Sequence, residues 1–270
     1  MEIFLFVISG ISMCYYVLLV VFTDVFWVTQ LYWPVSAAVF TLTGLLLWVD
    51  RKRKQEHRKC LPLEVRTAIS STCGLYFLLV SMASAMILFR GFSADSGDVD
   101  YLIFIENGDV ETSLTEYDYN ALDCTIAYMK QHKDTSVVLA GCSRFRGMKA
   151  DENELQTLMT SYLTDHEISR ERIIAEEISN NLKQNITYSY AYILVDWYGK
   201  DEEREMEPAV GIVAGRASVL RYELIIDDLG GMERHVNMIP CEEAIFSWPA
   251  RIMEEIRFIL GYHLMNQFRY

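Results

Sequence analysis

The sequence predicts an α/β protein: N-terminal transmembrane helices, then a Rossmann-like, doubly wound domain built on a mainly parallel sheet. Three observations lead there. Long apolar runs are confined to residues 1–91. From Asp100 onward, short β-rich apolar runs alternate with amphipathic segments, the pattern of a parallel sheet covered on both faces. Charge divides at the same place. Residues 1–91 hold eight Lys/Arg against five Asp/Glu, and residues 92–270 hold sixteen against thirty-two.

The first apolar run, residues 3–22, has about the 20 residues that a bilayer-crossing helix requires. The second covers about 28–49, and the third, 68–89, is rich in small residues that allow close helix packing. A cleavable signal peptide fits poorly, because Met1-Glu2 offers no basic start and no small-residue cleavage site is evident. The segment RKRKQEHRK, 51–59, reads as a loop between the second and third spans. Basic residues near span ends stay cytoplasmic. This places residues 92–270 outside the cytoplasm, as one extracytoplasmic domain, and makes the lipid bilayer a partner. The −16 charge of that domain argues against nucleic acid or an anionic lipid surface.

Within residues 92–270 the elements follow in order. YLIFI (101–105) is a strand, and 114–132 a helix. SVVLAG (136–141) is a strand, and 150–166 a helix with acidic residues in its first turn. RIIAE (172–176) is a short strand, and the stretch from Asn180 a helix ending near Gly199. AVGIVAG (209–215) is a strand, followed by a helix closed by Gly230-Gly231. RHVNMIP (234–240) is the last strand, and WPARIMEEIRFILGYHLMNQF the last helix.

Ligands of such sheets bind outside the carboxyl ends of the strands, where strand order reverses. Those ends carry Asn107-Gly108, Gly141-Cys142, the polar cluster from Glu176 through Asn185, and Gly215 through Ser218. Small residues let a ligand approach the backbone, and helix N-termini offer N–H groups to an anion. The candidate ligand-binding residues are Asn107, Gly108, Gly141, Cys142, Glu176, Ser179, Asn181, Asn185, Ser218 and Arg221. Arg221 is expected to face the crevice and meet an anion or Glu176. Asn181 and Asn185, four apart on one helix face, are expected to address the same ligand. The alternative is that Ser179 and its neighbours cap a helix.

No CxxC or HExxH occurs, so no dedicated metal site is expected, and no cofactor is assigned. Cys124, Cys142 and Cys241 fall in the exported part. One disulfide there, Cys124–Cys142 for example, is compatible with that compartment, but connectivity stays open.

The ordered set of motifs over about 98–262 resembles the YdcF-like family, with its SanA/ElyC-type membrane-anchored envelope members. Asp100 before the first strand, Asn107-Gly108 after it and Ala140-Gly141-Cys142 after the second stand at family motif positions. So do Met159 and Tyr162-Leu163, the series Glu176, Ser179, Asn181 and Asn185, and Arg221. Leu182, Gln184 and Ser218 depart from the family's Thr, Glu and His. Loss of His removes the group that exchanges protons near neutral pH, so catalysis is left open. The resemblance implies a bacterial cell-envelope protein, concerned with peptidoglycan or a lipid carrier. Its exported domain is expected to bind a phosphate-bearing precursor or nucleotide-like ligand. A divergent enzyme and an inactive scaffold are the alternatives.

Overall fold

The computed structural model describes residues 1–22, 28–94, 97–106, 114–141, 154–176, 178–179, 181–200, 206–230 and 236–265. The chain forms two compact units, Met1–Ala83 and Ser84–Tyr270.

Among the described residues, three helices are long and apolar enough to cross a membrane. They are α1 (Glu2–Phe22), α2 (Tyr32–Gln55) and α3 (Leu63–Ser93), the last belonging to both units. In the first unit, buried Leu5, Phe40 and Leu47 pack with Ile69, Tyr76 and Phe77. Small residues bring α1 and α2 close. Ser9 Oγ donates to the Ala37 carbonyl at 2.8 Å, and a Cβ at Gly44 would lie 3.1 Å from the Phe6 ring. Ile3, Leu42 and Leu79 stay exposed, the outward apolar surface that lipid accommodates.

Two expectations change here. Residues 51–55 are not loop but the end of α2. Lys and Arg are good helix formers, and their charge suits the negative end of the helix dipole. α3 also outruns the expected 68–89 at both ends, reaching Leu63–Ser93.

The second unit holds a parallel sheet of β1 (Tyr101–Ile105), β2 (Ser136–Ala140), β3 (Ile173–Ala175), β4 (Val210–Gly215) and β5 (Val236–Cys241). Their order is β3-β2-β1-β4-β5, with Tyr101 beside Ser136 on one side and Val210 on the other. The intervening helices are α4 (Glu116–Gln131), α5 (Glu154–Asp165), α6 (Leu182–Lys200) and α7 (Val219–Leu229), with α8 (Trp248–Met265) last.

Alternation of side chains along each strand divides the core into two. Leu102, Phe104, Val137, Leu139 and Val213 pack with Leu122, Ile126 and Met129 of α4 and with Met159 and Leu163 of α5. Tyr101, Ile103, Val138, Val210 and Ile212 pack with Ile186 and Ile193 of α6 and with Tyr222, Ile225 and Ile226 of α7. Helices therefore cover both faces. β1 through β3 progress in one direction along the sheet, and β4 returns to the other side of β1, so strand order reverses between β1 and β4.

Local chemistry sets the element ends. Thr115 and Asp118 form a reciprocal capping box at the start of α4. Gly230 ends α7 with φ +64°, a conformation glycine tolerates. The last strand runs past the expected Pro240 to Cys241; β5 is at the sheet edge, where a residue without an N–H is tolerated. Asp100, at the opposite rim from the strand carboxyl ends, accepts the Ala209 N–H at 2.9 Å, which holds β1 to the start of β4.

Candidate functional site

The described candidates fall into two groups at the carboxyl rim of the sheet. The first follows β3. Glu176 Oε1 accepts the N–H groups of Ile178 (2.7 Å) and Ser179 (2.9 Å). The Ser179 hydroxyl bonds to Glu176 Oε2 and also to Asn185 Oδ1. Gln156 on α5 donates to the Leu139 and Glu176 carbonyls at 3.2 and 2.9 Å. Glu176 and Ser179 are 0% exposed and Asn185 is 8% exposed. Asn181 Oδ1 accepts the Gln184 N–H at 2.9 Å, an N-cap bond for α6, worth about 1 kcal/mol.

These side chains therefore serve local backbone and one another. Of the two amides expected to address one ligand, Asn181 bonds at the helix start and Asn185 to Ser179. The physical reason is the β3–α6 turn, whose backbone donors find their acceptors in Glu176 and Asn181.

Gly141 lies beside this group, after β2. Its φ is +132°, and a Cβ would stand 2.7 Å from Glu106 Cβ, so the strand end admits only glycine. Asn107, Gly108 and Cys142 lie outside the described residues.

The second group follows β4, across the point where strand order reverses. A short 3-10 turn, Arg216–Ser218, leads into α7. Ser218 Oγ donates to Glu255 Oε1 on α8 at 2.7 Å. Arg221 Nη2 lies 3.4 Å from the same oxygen, with its side chain 11% exposed and Glu255 2% exposed. The guanidinium also lies over the Phe258 ring, 4.6 Å from its centroid, a favourable cation–π position. Arg221 thus meets Glu255 rather than Glu176, because β1 and β2 separate the end of β4 from the end of β3.

Sequence reasoning missed the rest of this group. Tyr117 on α4 accepts the Gly215 N–H at 3.0 Å, and the Arg251 guanidinium stacks 4.3 Å from the Tyr117 ring centroid. Glu243, after β5, accepts the Ala217 N–H at 3.2 Å. A Cβ at Gly215 would lie 2.4 Å from Glu243 Oε1, so glycine is what lets that carboxylate approach. Arg216 pairs with Glu242 at 2.7 Å and Arg251 with Glu254 at 3.1 Å. The end of α3 joins the same rim. Arg90 forms a two-pronged pair with Glu223, at 2.6 and 2.7 Å, and the Gly91 carbonyl accepts from Arg216 at 3.1 Å. Two signals pointed here: Glu242-Glu243 directly after a strand, and Arg251 three and four residues before Glu254 and Glu255 on one helix face.

Burial raises the Glu255 carboxyl above its ordinary range, against the opposing Arg221 charge and Ser218 hydroxyl. It raises Glu243 too, against the Ala217 N–H and the charges of Arg251 and Arg221. Burial would lower Arg221, but Glu255 and the neighbouring tyrosines outweigh it, so the guanidinium stays charged. Among the described residues, Glu255 Oε2 and Glu243 Oε1 are buried oxygens with no hydrogen-bond donor. Such an oxygen favours a proton, which fits the raised carboxyls.

A pH dependence follows. Unfolded Glu255 ionises near 4.5, before the folded group does. Between the two values the native state holds more protons, so stability falls as pH rises. The melting temperature of the α/β unit is expected to decline from about pH 4.5 upward, and Glu255→Gln to flatten that slope. An unchanged slope in the variant would remove Glu255 as its source.

No protein-family model, curated protein or solved structure matches the chain. Among the described residues, no cluster of His, Cys, Asp or Glu could hold a metal ion.

Proposed function

We propose that the chain is a membrane-anchored envelope protein of the YdcF-like kind, whose α/β unit is a Rossmann-like, doubly wound domain that holds a phosphate-bearing ligand. The site is the rim at the ends of β4 and β5, next to Gly215. One observation carries this reading: Glu243 offers its carboxylate to the Ala217 N–H, with Gly215 giving it room and Arg251 and Arg221 bearing on its charge. The carboxylate stands in for the oxyanion of a ligand, at a turn whose N–H groups face outward into a helix start. Binding would exchange Glu243 for phosphate oxygens. The bound precursor is a nucleotide-like headgroup or a lipid-carrier phosphate, both recognised through the same oxyanion chemistry.

Catalysis is not part of the proposal. Ser218 is 2% exposed and spends its hydroxyl on Glu255, so it is not presented as a nucleophile. A scaffold role is the second reading, favoured by the carboxylate that already faces each of Arg216, Arg221 and Arg251. Titrating the detergent-purified full chain with uridine diphosphate and with a polyprenyl phosphate separates the two. Saturable binding of either supports a ligand site; binding of neither supports the scaffold.

The proposal includes topology: three spans, the basic 51–59 segment cytoplasmic and residues 92–270 outside. A cysteine introduced between residues 200 and 205 is expected to react with an impermeant maleimide on intact cells, and Cys60 only after the cells are opened. The opposite pattern would invert the orientation.

A further inference from the structure

Cys241 ends β5 in the core beneath α4 and is 3% exposed. Cys124, on α4, packs against the same core but is partly open to solvent. Residues 117 apart in sequence are thus brought to one core by the packing of α4 against β4 and β5, where each thiol bears on the ionisation of the other. Both are free thiols in this structure. Cys142, the partner given as an example from the sequence, lies outside the described residues; among those described, the fold brings Cys241 to Cys124.

We infer that Cys124 and Cys241 are a redox-active pair that closes into a disulfide by exchange with a low-molecular-weight disulfide such as oxidised glutathione. Cys124 is the attacking group and Cys241 the resolving one. The Cys124 thiolate attacks one sulfur of the donor, forming a mixed disulfide and expelling one glutathione thiolate. Cys241 then loses its proton and attacks the Cys124 sulfur, expelling the second. Two protein thiols are oxidised, one disulfide is reduced to two thiols, and the electrons balance.

The asymmetry of the pair supports these roles. Cys124 is the more accessible member, and its thiol is pushed down, first by the Cys241 thiol and further by the Arg216 charge, against burial. Cys241 is pushed up by the Cys124 thiol and by burial. A closed disulfide would tie α4 to the end of β5, from which Glu242 and Glu243 follow directly. The inference does not depend on the ligand proposal, because the thiols form the pair whether or not the rim is occupied.

The test uses the full chain, reduced, freed of reductant and equilibrated with glutathione and its disulfide before trapping with N-ethylmaleimide. Peptide mapping is expected to find Cys124 linked to Cys241, with the link intact in Cys142→Ser. In Cys241→Ser, glutathione is expected to accumulate on Cys124, whereas in Cys124→Ser it should not accumulate on Cys241. Under reducing conditions Cys124 is expected to be alkylated at least tenfold faster than Cys241. A Cys124–Cys142 link overturns the inference. So does full alkylation of both Cys124 and Cys241 when glutathione disulfide is in large excess. Mapping the unsubstituted chain keeps the test valid even where a core serine prevents folding.

Discussion

Glu176→Ala is expected to destabilise the α/β unit by about 3–5 kcal/mol, the range for removing one partner of a buried charged network. The carboxylate takes two backbone N–H groups and the Ser179 hydroxyl, with Glu176 and Ser179 themselves fully buried. Ala leaves the buried Ser179 N–H without an acceptor and strips one from the Ile178 N–H, while the Ser179 hydroxyl keeps only Asn185. Glu176→Gln keeps one carbonyl oxygen for the N–H pair and should cost less. Circular-dichroism melts of the purified variants measure this. A melting temperature unchanged in Glu176→Ala would mean that the carboxylate does not hold the β3–α6 turn, and would return it to the list of ligand contacts.

The second large effect concerns Arg221 and Glu255. Glu255→Leu alone leaves the Arg221 guanidinium buried without its counter-ion, at a cost of about 3–5 kcal/mol, whereas Arg221→Met alone costs less because the Glu255 carboxyl can take up a proton. Replacing both removes both charges together and fills the space with apolar atoms, so the double variant is expected to recover most of that loss. The site supports such a swap, since Phe258 and Tyr222 already line the guanidinium. Additive single losses, each below about 1 kcal/mol, would show the pair to be solvated and not a buried unit.

Both effects bear on what could be read from the sequence. The strands, the alternating helices and the apolar N-terminal runs were legible because each rests on local periodicity, which needs no knowledge of neighbours. Glu176, Ser179 and Asn185 were legible as a cluster, since they crowd one strand-to-helix turn. Their engagement with one another was not, because it belongs to a folded rim that also draws Gln156 from α5 onto the Glu176 carbonyl. The partnership of Ser218 and Arg221 with Glu255 was hidden for a related reason. It joins a turn after β4 to a helix that begins thirty residues later, and only the folded position of α8 makes them neighbours. Tyr117 and Glu243 reach Gly215 from α4 and from the end of β5, flanking a glycine that alone would have suggested little more than a turn. Long-range side-chain pairing, not secondary structure, is where single-sequence reasoning stopped. The basic end of α2 errs in a different way: charge favoured a loop, while helix propensity and the dipole carried the helix on to Gln55.

Glu243 is proposed to be the internal occupant of an oxyanion position beside Gly215. The most direct measurement is the affinity of the full chain for uridine diphosphate and for a polyprenyl phosphate, compared across two substitutions. Glu243→Gln removes the competing charge, and the affinity for whichever probe binds is expected to rise several-fold. Arg251→Gln removes a cation at the same rim, and the affinity is expected to fall at least tenfold, as loss of about 1.5–3 kcal/mol from a charge-assisted hydrogen bond requires. Failure of both probes to bind, or binding that neither substitution alters, would contradict the assignment of this rim as the site.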